Sequence, residues 1–99
     1  MTYTDYPSLL GWVREELIFK RLKLEAIGFS LDEIQQDTVL FGDAGLSLDS
    51  IDGLELAVGI EQAFGLKIGK LTADIAGEKF KSPETITRFI LELKNAVAA

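Results

Sequence analysis

Residues 45–68 read Gly-Leu-Ser-Leu-Asp-Ser-Ile-Asp-Gly-Leu-Glu-Leu-Ala-Val-Gly-Ile-Glu-Gln-Ala-Phe-Gly-Leu-Lys-Ile. Asp49 and Ser50 suit a helix start, where a side-chain oxygen can accept from first-turn amides, and Gly65 suits a helix stop. The spacing therefore predicts a helix over 50–64. On a wheel of about 100° per residue it carries two apolar stripes. The first is Gly53, Leu56, Ala57, Ile60, Ala63 and Phe64, an ordinary core face. The second is Ile51, Leu54 and Val58, interleaved with Glu55, Glu61 and Gln62. That mixture fits a half-exposed docking surface, and it equally fits a helix buried on two sides.

The rest of the chain is also helical in its spacing. A first helix is expected over 8–27, after Pro7 and before Gly28. Its apolar residues fall on two sides, Leu10, Val13, Leu17 and Leu24 against Trp12, Phe19, Leu22 and Ala26, so it is either sandwiched or bent. A short third helix is expected over 72–80, with Thr72 as cap and Asp74 in its first turn. Ser82 then caps a last helix with Pro83 at its first position, and Ile86, Phe89, Ile90, Leu93 and Val97 form its stripe. The loop over 28–49 is long for a compact domain, but Ile34, Val39, Leu40, Phe41, Leu46 and Leu48 can anchor it across one end of the bundle. The expectation is a single all-α domain over 1–99. It has three main helices, a short third one, and a long loop between helices 1 and 2.

Composition excludes several function classes. Ten basic against 16 acidic side chains give a net charge of −6, which disfavours a nucleic-acid backbone and favours a partner with a basic surface. Without cysteine or histidine the chain has no disulfide, no thiolate nucleophile, no Cys/His metal site and no imidazole base. No catalytic group and no metal site is expected. Residues 1–13 lack the basic-then-apolar layout of a signal peptide, and no apolar run approaches a membrane span. A cytoplasmic monomer is the expectation. Two motif matches fail. A calcium loop with Gly53 at its sixth position needs a carboxylate where Leu48 stands. Residues 65–71 imitate a phosphate loop, but have too few residues between glycines and Leu71 in place of the hydroxyl.

Around Ser50 the pattern is more specific than a helix cap. Asp-Ser-Ile-Asp, then Leu-Glu-Leu, a further Glu and a closing Phe-Gly before Ile resemble the acyl carrier proteins. The likeness extends to Leu40-Phe41, Gly45-Leu46 and the order of helices, and is strongest over 38–68. The resemblance implies an acyl-carrier-like bundle and a 4′-phosphopantetheine arm, derived from coenzyme A, on Ser50, with Asp49 as the preceding acid. It implies that Ile51, Asp52, Leu54, Glu55, Val58 and Glu61 form the docking face. The implied partners are a phosphopantetheinyl transferase and acyl-loading and acyl-processing enzymes with basic docking patches. The carried groups would be acyl thioesters of fatty-acid, polyketide or related lipid biosynthesis. A flexible arm ending in a thiol also supplies what a cysteine-free chain lacks.

The departures from the family pattern are equally definite. Leu48 precedes the motif, Gln62 replaces a frequent acid, and Lys67 and Lys70 stand where fatty-acid carriers are commonly acidic. They favour a specialised pathway, such as a polyketide, aryl polyene or unusual lipid, over housekeeping fatty-acid synthesis. Gly53 and Gly59 lie inside a helix at about 1 kcal/mol each relative to Ala. Read as a liability on an exposed side, Gly59 is expected to gain stability on replacement by Ala, and Gly53, nearer the core stripe, to gain less or to lose. Two alternatives remain beside the carrier. One is an unmodified carrier-like interaction module; the other is a peptidyl or aminoacyl carrier, whose usual Gly-Gly-His or Gly-Gly-Asp is absent before Ser50.

Overall fold

The computed structural model describes residues 5–41, 48, 50–68 and 78–98. Its first helical stretch starts at α1 (Tyr6–Trp12), with Pro7 in the first turn and Asp5 as the cap. The Asp5 carboxylate accepts from the Ser8 amide at 3.2 Å and from the Ser8 hydroxyl. These bonds to the charged form hold its carboxyl below the ordinary carboxylate range.

From Val13 to Lys20 the backbone widens into a π-helix, and the Arg21 amide reaches back five residues to the Glu16 carbonyl. Lys23 takes left-handed angles, φ 53°, and a 3-10 turn over Leu24–Ile27 ends at Gly28, φ 96°. The expected helix over 8–27 is thus broken, which resolves the choice between a sandwiched and a bent element. The reason is its two apolar sides. The wider turn brings Ile18 inward beside Leu17, and the reversal at Lys23 buries Leu24, whereas Ala26 and Ile27 stay exposed.

The helix carrying the decisive stretch, α2 (Ser50–Phe64), has the predicted bounds. Gly65 ends it with φ 65°, and its amide bonds to the Glu61 carbonyl at 2.9 Å. The last helix, α3 (Pro83–Ala98), begins at the expected proline. Ser82 caps it reciprocally with Thr85: the Thr85 amide donates to Ser82 Oγ at 3.3 Å, and Thr85 Oγ1 accepts from the Ser82 amide at 3.0 Å. Of the expected third helix, Glu78 and Lys79 are helical, while Thr72 and Asp74 lie outside the described residues.

One core joins these elements. Leu9, Val13, Leu17, Ile18 and Leu24 meet Leu56, Ala57 and Ile60 of α2, Phe80, and Ile86 and Ile90 of α3. The long connection before α2 is anchored as expected, with Ile34, Leu40 and Leu48 buried. Arg14 holds it from the first helical stretch, donating to the carbonyls of Ile34 and, at 3.4 Å, Leu31. At the other side the Leu40 amide donates to the Lys81 carbonyl at 2.9 Å, and the Glu84 amide donates to the Gln36 carbonyl at 2.9 Å. The architecture is all-α: among the described residues the only extended pairing is a lone bridge between Phe41 and Leu48. No helix among them is long and apolar enough to cross a membrane.

Candidate functional site at the start of α2

The chain reaches α2 along a tethered path. The Leu48 amide donates to the Leu40 carbonyl at 3.0 Å, and Leu48 is itself buried, two residues before Ser50. Ser50 is the first residue of a 15-residue helix, whose N-terminal end favours negative charge. Asp49 lies outside the described residues. After Ser50, Ile51 is 70% exposed and Leu54 56% exposed, two large apolar side chains outside the core.

That exposure excludes a helix buried on two sides. Leu56, Ala57 and Ile60 face the core, as the first stripe requires. In the second stripe Ile51 and Leu54 are open and Val58 is half-buried. A helix buried on two sides would have hidden all three. The first stripe loses only its far end, where Ala63 is exposed and Phe64 half-buried edge-on to Trp12, ring centres 5.0 Å apart.

The acidic residues are arranged less simply than the wheel suggests. Asp52 is half-buried in the first turn. Glu55 is exposed, but its carboxylate meets Arg21 Nε at 3.3 Å. The same nitrogen donates to the Glu55 backbone carbonyl at 3.0 Å, and Arg21 Nη2 reaches Gln62 Oε1 at 3.4 Å. Glu61 turns its carboxylate to the chain beyond the helix, accepting from the Ile68 amide at 2.7 Å. Glu55 and Glu61, both expected to dock, are therefore engaged within the molecule.

Gly59 needs a correction. It is buried rather than on an exposed side. A Cβ there would come within 2.7 Å of Leu17 Cδ1 and 2.9 Å of both Arg21 Cδ and Nε. The missing side chain lets the first helical stretch lie close against α2, and it gives Arg21 its path across the helix. No signal in the sequence announced Arg21, because its partners are 34 and 41 residues away.

Comparison with protein families matches residues 20–90 to the phosphopantetheine attachment site family, and the chain belongs to it. It is a carrier protein whose prosthetic group is 4′-phosphopantetheine. Neither the curated proteins nor the solved structures include a significant match. The chemistry of the site fits the group: a serine at the positive end of a long helix, beside exposed aliphatic side chains, in a chain with no thiol of its own.

Proposed function

We propose that Ser50 is the attachment serine and that the chain carries acyl groups as thioesters for a specialised lipid or polyketide pathway. When bound, the arm supplies a mobile thiol. The protein supplies position and recognition. The Ser50 hydroxyl provides the ester oxygen, the α2 N-terminus favours the phosphodiester charge, and Asp49 precedes the serine as the family's motif has it. Ile51 and Leu54, with Asp52, Glu55 and the edge of Val58, form the surface that transferase and acyl-processing enzymes meet. In this reading the chain is not a catalyst, works as one domain over 1–99, and is a cytoplasmic monomer.

The observation that supports the reading best is the exposure of Ile51 and Leu54 directly after Ser50. Intact mass spectrometry tests it, after incubation with coenzyme A and a broad phosphopantetheinyl transferase. The wild type is expected to gain one phosphopantetheine and Ser50→Ala none. A folded wild type that stays unmodified with several transferases would instead support an interaction module, and modification of Ser50→Ala would move the attachment elsewhere.

A further inference from the structure

We infer that Arg21 is a built-in competitor for the docking acid Glu55, so that it sets how strongly cationic partners are drawn to α2. The inference rests on the docking surface proposed above and adds a specificity-determining residue to it. Three observations carry it. Arg21 comes from the first helical stretch and reaches across α2 at Gly59, where a Cβ would lie 2.9 Å from its Cδ and Nε and force it to shift. Its guanidinium touches the helix at three acceptors, the Glu55 carboxylate, the Glu55 carbonyl and Gln62 Oε1. The pair is accessible, with the Arg21 and Glu55 side chains 29% and 51% exposed, so a partner can reach and exchange it.

The charge consequence is local. Glu55 lies one position beyond the exposed Leu54, beside the surface that a cationic enzyme would approach. While Arg21 holds it, the approaching partner meets a neutralised pair where the helix offers a carboxylate, and must displace a guanidinium to use that carboxylate. The wild-type surface is therefore read more through its apolar pair and less through Glu55. Exposed ion pairs are weak and exchangeable, so the competition adjusts recognition without preventing it. Charges beside a docking surface act mainly on association rate. The partner that this favours has an apolar pocket for Ile51 and Leu54 with a modest cationic rim.

The test is a double-mutant cycle on the rate of phosphopantetheine transfer at low salt, with a transferase of basic docking surface. The variants are Arg21→Gln, Glu55→Gln and the double variant. Arg21→Gln is expected to raise kcat/KM about two- to fivefold through faster encounter. The loss caused by Glu55→Gln should be at least about threefold larger in that background than in the wild type, and added salt should remove the difference. Arg88→Gln, which changes net charge equally but breaks an ion pair to Glu84 on α3, controls for general attraction. Arg21→Met keeps an unbranched stem over Gly59 and provides the same comparison if Arg21→Gln does not fold, as judged by circular dichroism.

An equal effect of Glu55→Gln in both backgrounds, or equal gains for Arg21→Gln and Arg88→Gln, overturns the inference. An unmodified wild type, by contrast, would count against the attachment reading. Ile51→Ala and Leu54→Ala variants transferring at the wild-type rate would count against the docking surface itself. The three failures are thus distinguishable.

Discussion

Two glycines within helices have opposite surroundings, and the difference sets the sign of the same substitution. Gly11 is exposed in α1, and a Cβ there would meet nothing within 4 Å. Gly59 faces Leu17 and Arg21, with closest approaches of 2.7 and 2.9 Å to a Cβ. Leu17 is fully buried and Arg21 is held by Glu55 and Gln62, so a Cβ at residue 59 displaces a packed or a bonded side chain. Helix propensity favours Ala by about 1 kcal/mol at both sites. Overpacking a filled contact costs about 1–3 kcal/mol, which exceeds that gain at Gly59 alone. Gly11→Ala is therefore expected to stabilise by about 0.5–1 kcal/mol, and Gly59→Ala to destabilise by up to about 2 kcal/mol. Urea denaturation of both variants checks this, and stabilisation at Gly59 would show that the two helical stretches are not in close contact there.

At the scale of the element, legibility in the sequence followed local chemistry. The bounds of α2 and the Pro83 start of α3 were readable because caps and stops act through neighbouring residues: Gly65 beyond α2, Ser82 before α3. The first stretch was not, because its two apolar sides admit more than one way to be buried, and the packing of Leu17, Ile18 and Leu24 chose a π-helix and a reversal at Lys23. The same limit applied to the site. Ile51, Leu54 and Val58 could be placed on one face, but whether that face was covered depended on the rest of the fold. The engagement of Glu55 and Glu61 depended on Arg21 and on the Ile68 amide, which no helical wheel contains. With Ile51 70% and Leu54 56% exposed, truncating either to Ala should change stability by no more than about 0.5 kcal/mol. Each should nevertheless raise KM for transfer severalfold with little change in salt dependence, because apolar contact, not charge, is removed. Steady-state transfer kinetics at two salt concentrations test this, and a loss confined to low salt would contradict an apolar docking role.

Across the whole molecule, the long connection links the start of α2 to both other helical elements. Arg14 binds it to the first stretch, the Lys81 carbonyl binds Leu40 near the start of α3, and Leu40 in turn accepts from Leu48 just before Ser50. Leu40 is thus both a core residue and the support for the chain entering the site, whereas Ile86 is buried to the same degree within a regular helix. Truncating either side chain to Ala should cost about 2–5 kcal/mol, a large part of the stability of a small domain. The two losses should be distributed differently. Replacing Ile86 weakens the core through α3, while replacing Leu40 loosens the segment that fixes where α2 begins. Native-state hydrogen exchange should then show Leu40→Ala raising exchange at Leu48 and the first turn of α2 beyond the rise in global unfolding, and Ile86→Ala raising it no further than global unfolding does. Transfer to Ser50 by the same enzyme should slow more in Leu40→Ala than in Ile86→Ala, compared at temperatures where both remain folded. Equal exchange at the start of α2 in the two variants would mean that α2 holds its own N-terminus without the connection, and that Leu40 serves the core alone.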